Sequence, residues 1–219
     1  MERIEGMSRG LFLVFEGVEG SGKTTQARWL GEWLTARGVK AHVCREPGGT
    51  ALGESIRSLV LGELDVPSRS ELLLILAARA VFVDEVVRPR LAAGEVVIAD
   101  RYELSTLAYQ GYGRGLPLDE IRRINEFATR GLRPDLTIVL DVPLEVGEAR
   151  RRAEGRRSDR IERAGSDFHR RVGEAYRLLA EIEPGVESID GTGEPEVVRS
   201  AILARLGDRF PETFPLASG

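Results

Sequence analysis

Cysteine is almost missing from this chain: Cys44 is the only one in 219 residues. A single thiol builds no disulfide framework and suits a reducing compartment. Cys44 sits in an apolar run, where a buried, unreactive thiol is expected rather than a nucleophile. Histidine is scarce as well, and His42 and His169 show no metal-ligand spacing. Long hydrophobic segments are absent. The longest apolar run, Leu72 to Val83, is interrupted by Arg79 and is too short to cross a bilayer. The first ten residues have no apolar core of the signal-peptide kind. The formal net charge is −4 and gives no support for a sequence-independent nucleic-acid binder. A cytoplasmic protein without membrane or nucleic-acid partners is expected.

Lysine is the rarest charged residue. Only Lys23 and Lys40 occur, so 29 of the 31 basic residues are arginine. Lys23 occupies the one slot where a lysine has a specific job. An apolar run, Leu11 to Phe15, leads into Gly17-Val18-Glu19-Gly20-Ser21-Gly22-Lys23-Thr24-Thr25, and a helical pattern follows. Strand, glycine-rich loop, Lys-Thr and helix in that order form a Walker A loop. Glycines let the backbone turn its N–H groups around phosphate oxygens, and the helix N-terminus adds positive field. Lys23 is expected to reach the β- and γ-phosphates, and the Thr24 hydroxyl to hold Mg2+.

Alternating strand and helix signals continue to the end of the chain. They predict an α/β fold: a P-loop NTPase-type, doubly wound parallel sheet of about five strands with helices on both faces. Residues 11–208 are expected as one domain, with residues 1–10 disordered and residues 209–219 a loose tail. A long helix from Pro67 to about Ala93 is apolar on all sides, which implies a central position or a second subunit. Within it, Arg79 is expensive to bury without an anionic partner, and it either binds a ligand or reaches solvent. Val96 to Asp100 is a strand that ends in an acid, followed by Arg101. That end of a strand is where ligands gather in open sheets. Asp100 thus reads as a metal-organising carboxylate, or else as an ordinary helix-start acid. Ser105, Thr106, Tyr109 and Gln110 form a polar cluster in a short helix that Gly111 to Gly115 should break. Six arginines crowd residues 150–160. They are either a solvated helix face or a mobile basic lid, about residues 150–165, closing on polyphosphate.

An NTP site alone permits a switch, a motor or a kinase. No Asn-Lys-x-Asp is present to read guanine, which argues against a GTPase. The second polar set, Arg45, Arg79, Arg101, Tyr109 and Gln110, fits an anionic acceptor opposite the γ-phosphate. The chain resembles bacterial thymidylate kinase along nearly its whole length. The matching stretches are residues 15–25, Arg45-Glu46-Pro47-Gly48-Gly49-Thr50, Ala77-Ala78-Arg79, Asp100-Arg101-Tyr102, Ala108-Tyr109-Gln110-Gly111, Arg133-Pro134-Asp135-Leu136-Thr137, Leu140-Asp141-Val142 and Asp159-Arg160-Ile161-Glu162.

The resemblance implies transfer of the ATP γ-phosphate to dTMP, with Mg2+, in a homodimer. Residues 17–25 would hold ATP, and Thr24 and Asp100 the metal. Glu19, Arg45, Ile75, Arg79, Arg101, Ser105, Thr106, Tyr109 and Gln110 would form the dTMP site. Arg101 and Arg45 would take the acceptor phosphate, and Arg79 and Gln110 the thymine edge. Glu19 would address the 3′-hydroxyl, and the Tyr109 ring would crowd the 2′ position. The family carries its catalytic arginine in the phosphate loop or on the lid. The loop slot here is Gly20, so Arg152 and Arg156 of the lid are the candidates, beside Lys23, Asp100 and Arg101. One departure stands out: Ile75 occupies the place of the family's thymine-stacking phenylalanine. A kinase for another monophosphate, or a non-catalytic ATP-dependent switch, are the competing readings.

Overall fold

A computed structural model describes residues 9–153, 155 and 159–214. Five parallel strands, β1 (Phe12–Glu16), β2 (Ala41–Arg45), β3 (Val96–Asp100), β4 (Leu136–Asp141) and β5 (Val186–Asp190), form one sheet in the order β2-β3-β1-β4-β5. The central strands β1, β3 and β4 are buried almost throughout, as both-face coverage demands. One layer of the core joins the sheet to α1 (Lys23–Thr35) and to α9 (Pro195–Arg209) through Leu30, Leu34, Ile202 and Leu206. On the other face lie α3 (Ser68–Phe82), α6 (Leu118–Thr129) and α8 (Ser166–Ile182).

The parallel register positions the site. Phe15 of β1 pairs with Asp100 of β3, so the phosphate loop and Asp100 leave the sheet side by side at its carboxyl edge. The order reverses between β3 and β1, the switch point where such sheets bind ligands.

Two expectations need correction. The long helix is not uniform: it passes from α3 through a π-helical turn, Val83–Val87, into α4 (Arg88–Ala92). Pro89 explains the wide turn, because it has no N–H and its ring crowds the carbonyl four residues earlier. Leu73 is 59% exposed and Ala77 faces outward, so one face of α3 is uncovered in the single chain. After α5 (Glu103–Thr106) the helical segment continues as a π-helix, Leu107–Gly113, and ends within the glycine run, with Gly115 at φ +76°. Gly113 also provides close approach, because a Cβ there would stand 2.6 Å from the Phe168 ring. Finally, the ends are more ordered than expected where they are described. The Gly10 N–H donates to Leu91 O at 3.0 Å. Phe214 is 1% exposed and stacks on Trp33, so the packed body extends past residue 208; residues 1–8 and 215–219 lie outside the described chain.

Candidate active site

The phosphate loop closes between β1 and α1. Gly20 (φ +74°) and Gly22 (φ +96°) adopt left-handed backbone that a side chain would strain. Gly20 also leaves no room, because a Cβ there would overlap the Gly147 carbonyl on α7 (Leu144–Ala153). The loop slot therefore cannot carry an arginine in this packing.

Lys23 is 5% exposed and folds back on the loop, donating to Val18 O at 2.7 Å and Ser21 Oγ at 3.3 Å. Two of its three N–H donors are thus engaged within the loop. Burial, then the Arg101 charge, depresses its pKa from 10.5 to about 8. The Thr24 hydroxyl donates to Asp100 Oδ2, so the two expected metal oxygens lie side by side. Among the described residues no group of three or more His, Cys, Asp or Glu side chains could hold a metal. Two hard oxygens beside a phosphate loop match Mg2+, which keeps waters and phosphate oxygens for its remaining positions.

Arg101 stands where the two halves of the cleft meet. Its φ of +77° is a rare backbone state for a bulky side chain, and such outliers cluster at functional sites. Its guanidinium donates to Ser105 Oγ (3.0 Å), Tyr176 OH (2.9 Å), Gly17 O (3.2 Å) and Tyr109 OH (3.2 Å), and it pairs with Glu19. Beneath it, fully buried Glu16 accepts from the Tyr102 and Ser105 N–H groups and from both the Ser105 and Tyr176 hydroxyls. That network fixes the loop after β3.

A second group surrounds Arg79, which is 2% exposed. It donates to Glu46 Oε2 (2.7 Å), Thr106 Oγ1 (2.9 Å), Asn125 Oδ1 (2.6 Å) and Tyr102 O (2.8 Å). Glu46 is the anionic partner that burial of Arg79 demanded. Its own Oε1 is buried without a hydrogen bond, and burial pushes its pKa up to about 7 despite Arg79. Gln110 donates through Nε2 to Glu71 Oε1 at 2.8 Å, which leaves its carbonyl oxygen as an acceptor on the cavity wall. Glu71 also takes Arg114 and Arg160, tying the segment after α7 down over the cavity.

Two cavities share this floor. One of about 540 Å3 is lined by the phosphate loop, Thr24, Arg45 and Asp100. The other, about 90 Å3, is lined by Ile75, Arg79, Ser105, Thr106, Tyr109 and Gln110. Glu19, Arg57, Arg101 and Asp159 border both. The segment with Asp159 and Ile161 covers the smaller one.

Not every expected residue meets the cleft. Arg45 borders only the phosphate side and pairs with Glu54 at 3.2 Å. Val18 is core, 7% exposed. Arg152 is turned away, with its side chain 70% exposed and paired with Glu148 at 3.4 Å. Among the described lid arginines, Arg151 turns inward to Glu162 at 3.5 Å and Arg160 to Glu71, while Arg156 lies outside the described residues. Cys44 is half-buried, and burial pushes its thiol pKa up, as an unreactive thiol requires. Sequence reasoning missed Arg57, although a signal existed. It falls four residues after Gly53 and three before Val60, both on the buried face of α2 (Ala51–Leu61). Tyr176, contributed by distant α8, had no local signal.

The thymidylate kinase family model matches residues 15–202. A thymidylate kinase of Desulforudis audaxviator is 48% identical over 201 residues, covering 90% of each chain. That of Desulfovibrio desulfuricans is 47% identical over 212 residues, covering 91% of this chain and 98% of its own. The crystal structure of thymidylate kinase from Ehrlichia chaffeensis superposes with a TM-score of 0.74 at 32% identity, covering 91% of this chain and 99% of that one. With the family model spanning residues 15–202 and relatives 47–48% identical over about nine-tenths of its length, this chain belongs to the thymidylate kinase family.

Proposed function

We propose that this enzyme transfers the γ-phosphate of ATP to dTMP, giving ADP and dTDP. The observation that carries the reading is the pair of cavities meeting at Arg101, one walled by the phosphate loop and the other by a compact polar pocket. A phosphate oxygen of dTMP attacks the γ-phosphorus in line, and the bond to the ADP oxygen breaks. Lys23 and the loop N–H groups take the donor phosphates, and Thr24 and Asp100 would hold Mg2+, which would supply further charge neutralisation there. Arg101 and Arg57 take the acceptor phosphate, with Glu19 giving up part of its hold on Arg101. Arg79 and the Gln110 carbonyl oxygen offer a donor and an acceptor for the thymine edge, and the Tyr109 ring restricts the sugar. Arg151 and Arg160 are the inward-facing lid charges offered here beside Arg152. The chain is proposed to act in the cytoplasm; among the described residues no helix is long and apolar enough to cross a membrane. We further propose a homodimer formed through Leu73 and Ala77 of α3, beside exposed Leu52 and Leu59 of α2.

ADP release with dTMP, dUMP, CMP and UMP as acceptors tests the assignment. dTMP should give the highest kcat/KM. Equal rates with all four would indicate a broader kinase, and slow hydrolysis indifferent to any acceptor would indicate a switch.

Two further outcomes follow from the geometry. Ile75→Phe restores an aromatic face on the pocket wall, worth about 0.5–1.5 kcal/mol. Turnover should stay similar and the dTMP KM should fall several-fold; an unchanged or raised KM would mean that thymine packs elsewhere. The second concerns pH. Bound phosphates favour charged Lys23, so ATP binding above pH 8 requires proton uptake by this amine. ATP Kd should be flat below pH 8 and rise by up to about tenfold per pH unit above it. Titrations at pH 7 to 9.5 in two buffers of different ionisation enthalpy measure both the slope and the proton.

A further inference from the structure

A cavity of about 840 Å3 lies away from the cleft. Gly94 and Asp135 on its wall precede β3 and β4, so it opens at the amino edge of the sheet, opposite the phosphate loop. Its charge runs against that of the chain. Arg9, Arg88, Arg130 and Arg133 converge there, in a molecule whose formal charge is −4.

The carboxylates nearby neutralise only part of this. Asp135 pairs with Arg9 at 3.3 Å, but its other oxygen is committed to the Phe12 N–H at 2.7 Å. Asp84 pairs with Arg130 at 3.1 Å. Arg88 spends one nitrogen on the carbonyls of Thr129 and Arg130, which end α6, while its Nε is buried with no hydrogen-bond partner. Arg133 is exposed and interacts with the charge of Glu103 on a neighbouring wall. Four guanidinium groups against three carboxylates, Asp135, Asp84 and Glu103, leave a positive excess around one concavity. Leu91, Ala92, Leu132 and Pro134 add an apolar wall beside them.

We propose that this cavity is a second anion site, built for a small organic phosphate of nucleotide size. Guanidinium groups with free N–H forks favour phosphate oxygens, and the volume lies in the range of small-molecule sites. The apolar wall would carry a base or another flat hydrophobic group. A concave pocket with so few cations in an acidic chain does not suit a nucleic-acid backbone, which needs an extended basic track. The site shares no residue with the ATP–dTMP cleft, so it stands or falls independently of the proposed reaction.

The test uses the full chain with its cleft filled by saturating dTMP and a non-hydrolysable ATP analogue. Inorganic triphosphate and dTTP are then titrated separately by calorimetry. A saturable event of one site per chain is expected, weakening at least tenfold in the Arg130→Gln/Arg133→Gln double variant. Both replaced side chains are solvent-facing, so melting temperature and kcat/KM for dTMP should be unchanged. Equal affinities would show that the phosphates alone are read, and tighter dTTP binding that the apolar wall contributes; either supports the site. No second event, or the same affinity in the double variant, overturns it. Binding of a short single-stranded oligonucleotide but of neither phosphate also overturns it, in favour of a nucleic-acid surface.

Discussion

Lys23→Ala is expected to lower kcat on the order of 10^3-fold, the loss typical of removing one preorganised charge from a developing oxyanion. The effect should fall on turnover more than on dTMP binding. Lys23 borders the phosphate-side cavity and is absent from the wall of the pocket around Ile75 and Arg79. Its hydrogen bonds to Val18 O and Ser21 Oγ hold the loop's shape, so the variant also needs a fold check. Steady-state ADP release, with circular dichroism and dTMP calorimetry on the same preparation, separates the two causes. A folded variant that keeps wild-type kcat would remove Lys23 from the mechanism.

The second large effect is on stability. Arg79→Met leaves the Glu46 carboxyl buried without its partner; its pKa is about 7 even beside Arg79, so it takes up a proton, and the lost pair with its unmet hydrogen bonds destabilises by about 3 kcal/mol. For a chain of this size that corresponds to a melting temperature lower by roughly 10 °C. The loss has a specific remedy. Adding Glu46→Leu removes the stranded polar group and should recover most of the stability, because an apolar replacement of a buried ion pair is often neutral. The double variant should nevertheless keep a raised dTMP KM, since the pocket still lacks the Arg79 donor. Recovery of both stability and KM would mean that Arg79 is only a strut. Thermal melts of the two single variants and the double variant, alongside dTMP saturation curves, decide it.

Much of this site was legible because local order carries it. The phosphate loop is continuous in sequence, and its spacing fixes both loop and helix. Asp100 and Arg101 could be placed because a β-branched run ending in an acid puts those side chains at the carboxyl edge of a parallel sheet. Arg79 was recognisable as a charge that needs a partner, but Glu46 was not recognisable as that partner, since 33 residues, with the whole of α2 among them, separate the two. The same limit hid Tyr176 beneath Arg101. The glycine run ends its helix as read, but that Gly113 also lets Phe168 approach was not legible, since a glycine that admits a neighbour has the same sequence signature as one that ends a helix. Pro89 was passed over in a strongly apolar pattern, though its missing N–H accounts for the wide turn before it. Arginine density alone could not say which guanidinium groups of residues 150–165 turn inward, because that depends on Glu162, Glu148 and Glu71, set by packing rather than by spacing.

The central claim is that donor and acceptor nucleotides lie head to head across Arg101 with their phosphates in one continuous channel. A single ligand joining adenosine to thymidine through five phosphates tests it most directly, by calorimetric titration and competition. The account predicts one equivalent bound per chain, displaced by ATP and by dTMP alike. A linked ligand that competes with only one of the two nucleotides, or that binds no better than either alone, would contradict it.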